Sequence, residues 1–253
     1  MTRVLVIGAT GSIGRVVIPT LVANGLDVVA FVRDQARGSA LFPGLMLAVG
    51  DVTDAASVAA AVAGADAVVM THGGADGEEE LVDYGAVAAV LAGLAGARPR
   101  IALMTSMGVS KPTDSPWVEA MHWKRRGERL VRASGLPYTI VRPGWFDYEP
   151  EGHRAVLLEQ GDATNVNIQR GVARQQIADA LVNSLLCDEA IGVTFEIFAG
   201  PGEAPDDWAP LFAALAKDRA GALDGALDVP GPALADEPER FRSDFAELRA
   251  GDA

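Results

Sequence analysis

Gly8, Gly11 and Gly14 stand at three-residue intervals in the stretch VLVIGATGSIGRVV. They follow an apolar run, Val4 to Ile7, and precede Val16, Val17 and Leu21, which with Ile13 recur at helical spacing. The pattern predicts a turn from a strand buried on both faces into a helix. Such a turn offers backbone N–H groups at a helix N-terminus and takes a phosphate. Gly8 is expected to permit the tight turn, Gly11 to let the backbone approach a pyrophosphate, and Gly14 to let the helix pack on the strand. Thr10, Ser12 and Ile13 complete that expected cradle. The spacing is GxxGxxG rather than GxGxxG, so the trio draws its weight from its setting.

Three later strand ends add chemistry. DVVAFVRD ends in Arg33, where a dinucleotide fold meets the adenosine ribose. A guanidinium there favours the 2′-phosphate of NADP over the 2′-hydroxyl of NAD, with Arg37 as a second cation. Asp34 follows at once and pulls the other way, and a charged residue merely leaving a strand is the plainer alternative. AVGDVTD places Asp51 and Val52 against the adenine. VVMTHGG brings Thr71, His72 and Gly73 to the same edge, His72 facing cofactor, substrate or neither. No second histidine or carboxylate lies at ligand spacing from His72, so no metal site is expected.

These residues need elements to hold them. Strands are predicted over 3–7, 28–32, 45–49, 67–71, 100–105, 138–142 and 193–198, and helices over about 12–24, 54–63, 80–96, 117–134 and 172–187. Their alternation implies an α/β fold, a Rossmann-like doubly wound parallel sheet. One domain is expected over 1–253: a dinucleotide-binding core to about 142, with a small substrate lobe from 143–171 and 199–253 that includes a helix near 206–216. A chain of 253 residues with 49% hydrophobic residues can bury a sizeable core.

The net charge of −13 argues against nucleic acid and anionic membranes as partners. The acidic runs GEAPDDW and DEPERFRSDFAE read as solvated surface. No apolar run reaches the roughly 18 residues that span a bilayer, and the N-terminus enters a strand at once, so a cytoplasmic protein, monomer or homodimer, is expected. The single cysteine, Cys187, excludes an internal disulfide and reads as a buried helix residue.

Taken in order, GATGSIG, FVRD, GDVTD, DYGAV, TSMGV, KRRGERLVRASGLPYTIVRPGWF and VARQQIADALV resemble the short-chain dehydrogenase/reductase superfamily, in its atypical, NmrA-like branch of NAD(P)-binding oxidoreductases. The resemblance covers about residues 3 to 185. It implies that Lys124 binds the nicotinamide ribose, that Ser106 is the serine ending the fifth strand, and that Pro143 and Gly144 lie by the nicotinamide amide. Lys124 and Ser106 are therefore the expected catalytic pair. The superfamily's tyrosine, four residues before the lysine, is replaced by Ala120.

That replacement bears on the substrate. Reducing an isolated ketone makes an alkoxide, which needs a proton donor. Reducing a quinone makes a phenolate-like anion, and phenols have a pKa of about 10. The expected activity is therefore NADPH-dependent hydride transfer to a quinone-like or polycyclic aromatic small molecule, or to flavin. Trp145 and Phe146 would stack a flat acceptor, or else pack in the core; Trp117 and Trp123 read as helix packing. A non-catalytic NADP-binding sensor is the other class that fits. An isomerase or dehydratase using the cofactor transiently fits less well.

Overall fold

The computed structural model describes residues 2–111, 117–166 and 168–251. In chain order the elements are β1 (Arg3–Ile7), α1 (Gly14–Ala23), β2 (Asp27–Val32), α2 (Gln35–Leu41), β3 (Met46–Val49), α3 (Ala55–Val62) and β4 (Ala67–Met70). A π-helical segment, Glu79–Tyr84, runs into α4 (Gly85–Gly93). Then come β5 (Arg100–Met104), α5 (Val118–Ala133), β6 (Tyr138–Pro143), β7 (Trp145–Phe146), β8 (Ala155–Glu159), β9 (Gly171–Val172), α6 (Arg174–Leu186), β10 (Val193–Gly200), α7 (Ala209–Ala213) and α8 (Glu239–Gly251).

Eight strands form one sheet in the order β3-β2-β1-β4-β5-β6-β10-β8. Every pairing is parallel except β10 with β8, a departure from the all-parallel expectation. The apolar strands alternate their side chains between two cores. On β1, Val4 and Val6 join α1 and α6 on one face, while Leu5 and Ile7 join α3, α4 and α5 on the other. Strand order reverses between β1 and β4, which opens a crevice beyond their C-terminal ends.

Several elements differ from expectation. The helix expected over 80–96 starts as a π-segment. Helix α2 and strands β7, β8 and β9 are too short to carry a periodic signal, whereas α8 has one, Phe241, Phe245 and Leu248 at helical spacing, inside a run that reads as acidic surface. The run DEPERFRSDFAE is not simply solvated surface. Phe241 is fully buried against Tyr84, and Glu237 is buried between Arg126 and Arg129. Cys187 is half-buried at the C-cap of α6 rather than inside it. The stretch from 199 onward also divides. Residues 218–237 form a strap over α5, and α8 packs with the α4 and α5 face. Residues 167, 252 and 253 of the expected lobe lie outside the described part.

A buried ion network ties the strap down. Arg125, Arg129 and Arg132 share one face of α5 at helical spacing. Arg125 and Arg129 both hold Asp224, Arg129 also holds Glu237, and Arg132 holds Asp218. Arg142 on β6 is fully buried and donates to both oxygens of Glu128 and Asp228 and to Glu196. Burial pushes the Asp228 carboxyl up, but hydrogen bonds and charge from Arg142 outweigh it and hold the group at about 2. Glu196 goes the other way. Its burial, with Asp162 nearby, raises it to about 8 despite Arg142, so it keeps its proton at neutral pH.

Candidate cofactor and substrate site

The glycine turn has the expected shape. Gly8 has φ +84°, and a Cβ there would stand 2.6 Å from the His72 backbone nitrogen. Gly8 is thus the residue that lets β1 and β4 leave the switch point side by side. A Cβ on Gly14 would stand 2.3 Å from the Gly8 carbonyl oxygen, so only glycine lets α1 start this close to the strand. At Gly11 a Cβ would meet only the Gly8 oxygen, at 3.1 Å, and Gly11 and Ser12 are exposed. Ile13 is the cap residue of α1, makes no side-chain cap hydrogen bond, and no acidic residue occupies the first turn. Open N–H groups and a positive helix end remain there for an anion. The Ile13 side chain itself is core, so only its backbone is at the cradle.

Arg33 is exposed at the end of β2. Asp34 does not compete with it, because its carboxylate caps α2 by accepting from the Arg37 backbone N–H at 3.1 Å. Asp51 uses Oδ1 to accept from the Thr53 N–H and hydroxyl, and these bonds, with Arg33 beside it, hold its carboxyl below the usual range. Val52 is half-buried next to it.

At the end of β4, Thr71 is spent on structure: its hydroxyl donates to the Ile7 carbonyl at 3.2 Å. Gly73 is exposed. His72 Nε2 lies 3.1 Å from the Asp83 carbonyl oxygen, which can only accept, so Nε2 carries the proton. Burial pushes the ring's pKa down, against the pull of Asp83. His72 is therefore a neutral ring whose Nδ1 is a buried acceptor without a partner in the structure. As a neutral acceptor it has no proton to give from Nδ1 at pH 7, which removes it as the acid standing in for the missing tyrosine.

Lys124 pairs with the buried carboxylate of Asp83 at 2.6 Å, and that same Oδ1 accepts from the Gly74 N–H at 3.1 Å. Asp83 sits on the π-segment, whose wider turn delivers its side chain to Lys124 and its carbonyl to His72. Sequence reasoning missed Asp83. Its signal was an acidic residue among Val82, Tyr84, Ala86 and Val87, an apolar helical pattern where a carboxylate needs a partner. Ala120 lies one turn before Lys124 and offers no proton. Ser106 follows β5 and is half-buried.

Pro143 ends β6 and Gly144 follows. The Met107 N–H donates to the Pro143 carbonyl, and the Gly144 N–H donates to Ile197. A Cβ on Gly144 would meet the Arg170 carbonyl at 2.4 Å. The Trp145 and Phe146 pair does not act as a pair, because neighbours on a strand face opposite ways. Phe146 packs on the α1–α6 core with Arg174 over its ring. Trp145 turns to the other side, where Trp117 meets it edge-on at 5.7 Å and Tyr148 lies 6.2 Å away. Trp117 and Tyr148 are 50% and 57% exposed, so these rings form an open aromatic wall. Trp117 is thus not helix packing, whereas Trp123 is: it is buried against Tyr84. A separate cavity of about 370 Å³ between α4, α5 and α8 touches none of these residues.

The glycine turn, exposed Arg33 and Asp51 follow the C-terminal ends of β1, β2 and β3, and Asp83 joins Lys124 to His72 after β4. The fold and this edge define a dinucleotide-binding α/β protein. The chain belongs to the NAD(P)H-binding family, whose model matches residues 8–188. An uncharacterized chloroplastic protein of Arabidopsis thaliana is 30% identical over 240 residues, covering 83% of this chain and 74% of the relative. A Bacillus halodurans structure described as an NAD-dependent epimerase/dehydratase superposes with a TM-score of 0.72 at 26% identity, covering 85% of this chain and all of the other. An anaerobilin reductase from Escherichia coli O157:H7 superposes with a TM-score of 0.64 at 26% identity, covering 81% and 98%. The expected fold, the Rossmann-like sheet of the atypical short-chain dehydrogenase/reductases, is the one observed.

Proposed function

We propose that this NAD(P)H-dependent oxidoreductase uses NADPH to reduce a flat, conjugated aromatic acceptor. The observation that carries the substrate is the open wall of Trp117, Trp145 and Tyr148 just past β6, together with Ala120 where a proton donor would stand. The anaerobilin reductase among the similar structures supports reduction as the reaction class. Arg33, left alone by Asp34, supports NADPH over NADH.

When bound, NADPH supplies the hydride. The residues of this chain then bind and position. The α1 turn would hold the pyrophosphate on N–H groups, Arg33 would hold the 2′-phosphate, and Lys124, paired with Asp83, would hold the nicotinamide ribose. The aromatic wall holds the acceptor flat, which supplies alignment rather than acid catalysis. An acceptor that becomes a phenolate-like anion needs no proton from position 120. We further propose a cytoplasmic monomer or homodimer; relatives from Arabidopsis thaliana and Pisum sativum carry chloroplastic names. Among the described residues no helix is long and apolar enough to cross a membrane.

The test is NADPH oxidation by the purified protein with a quinone, a flavin and an unconjugated ketone. Turnover with the first two and little with the third is expected, and Tyr148→Ala should raise KM for the quinone about fivefold, the loss of roughly 1 kcal/mol of ring contact. Efficient ketone reduction overturns the substrate assignment. NADPH binding without turnover on any acceptor favours the sensor.

A further inference from the structure

The β5 loop, Thr105 to Lys111, carries Ser106 and sends Met107 and Val109 into a small cluster with Met121, Val166, Phe198 and Trp145. Trp145 carries the aromatic wall on that cluster, against which its ring packs. The loop has its own anchor. Asp162, buried in the turn after β8, accepts from the Gly108 N–H at 2.5 Å through Oδ1. Its Oδ2 accepts from the Ser110 N–H and the Ser110 hydroxyl, each at 2.8 Å. Its carbonyl accepts from Lys111 Nζ at 2.9 Å, and its own N–H donates to Glu196.

This anchor is built under constraint. Asp162 adopts φ +48°, a left-handed conformation that a non-glycine residue takes at a cost. Gly108, at φ +88°, has Val166 and Met121 where a Cβ would go. Gly161, just before Asp162, would place a Cβ 2.3 Å from the Leu227 carbonyl of the strap. Loop, turn and strap therefore close on one another with no slack. Among the described residues, the hydrogen bonds of Asp162 run to the β5 loop and Glu196 and none runs to the glycine cradle.

We propose that Asp162 is the positioning residue for the acceptor end of the site: its carboxylate sets the β5 loop, and the loop sets the floor on which a planar acceptor lies. This rests on the reading of the aromatic wall as the acceptor site. It separates two functions along one edge. Cofactor affinity depends on α1, Arg33 and Lys124, while acceptor affinity depends on a carboxylate more than fifty residues beyond the loop it holds.

Asp162→Asn tests this, because an amide keeps one acceptor but sets an NH2 against the Ser110 N–H. With the full chain, KM for a quinone should rise about tenfold while the NADP+ dissociation constant, from protein fluorescence, stays within twofold. Amide exchange in the 105–111 peptide should speed up about tenfold, with the 3–17 peptide unchanged. Ser110→Ala, which removes one bond only, should shift the same quantities in the same direction by less, and serves if the first variant does not fold. Unchanged KM and unchanged loop exchange in the variant overturn the proposal, as does an equal loss of cofactor and acceptor affinity. If the wild type binds NADP+ but turns over no acceptor, the substrate reading fails; the exchange measurement still decides whether Asp162 holds the loop.

Discussion

Between β3 and β4 the sheet is held by Val4, Val6, Val28, Ala30 and Val69 on one face and Leu5, Ile7, Val29, Phe31 and Val68 on the other, with no buried ion pair among them. Between β5 and β8 the corresponding space holds Arg142, Arg132, Arg129, Glu128, Asp228 and Asp218. The cofactor half is held by burial of apolar surface, which is non-directional and tolerant. The acceptor half is held by partners that must all be present, because a lone buried charge is costly. One half can keep its binding chemistry while loops vary; the other binds its segments into a single unit.

The largest expected effect is that of Arg142→Met. It strands Glu128 and Asp228 and should cost about 3–5 kcal/mol. Hydrogen exchange should show protection lost in β6, β10 and the strap but kept in β1 and β2. Uniform loss would break the comparison. Leu21→Ala, on the fully buried face of α1, should cost roughly 3 kcal/mol in denaturant unfolding, with little change between low and high salt. A strong salt dependence there would mean that charge also governs the cofactor half.

Arg33→Ala should leave the melting temperature alone and weaken NADPH about tenfold, consistent with loss of a charge-assisted contact of roughly 1.5–3 kcal/mol. NADH affinity should stay the same; equal loss for both cofactors would show that Arg33 does not read the phosphate. The smallest effect is a slope. Glu196 sits at about 8 when folded against an ordinary 4.5. Between those pH values the folded chain holds a proton that the unfolded chain has released, so stability falls as pH rises. Glu196→Gln should flatten that decline in melting temperature, and an unchanged decline would mean that Glu196 is ionised throughout.

The same contrast explains what the sequence disclosed. Val4 to Ile7, the glycine trio and the helix after them are local signals, and the strands read from such runs lie within two residues of those observed. The arginines of KRRGERLVR have no local signature of burial. Arg142 meets Asp228 86 residues away, and Arg129 meets Glu237 108 residues away. Nor does the GWF stretch reveal its facing: strand alternation separates Trp145 from Phe146, and the rings that join Trp145 are Trp117 and Tyr148. Asp34 was ambiguous in sequence because capping needs the φ, ψ angles that the fold alone supplies.

The strap also sets an order in time. A ribosome delivers the chain from the N-terminus, at about 5–20 residues per second. β1 to β4 can pair as they emerge, with one face waiting for α6 and the other for α4 and α5. β6 arrives with Arg142, and α5 with Arg125, Arg129 and Arg132, before Asp218, Asp224, Asp228 and Glu237 exist. Until the strap is synthesised, Arg125 and Arg129 wait for Asp224 and Glu237, while Arg132 and Arg142 share Glu128, with Glu196 following for Arg142. The half that holds the acceptor is thus the last to be completed, and a chain stalled before residue 218 would carry its aromatic wall without the strap that closes the ion network behind it.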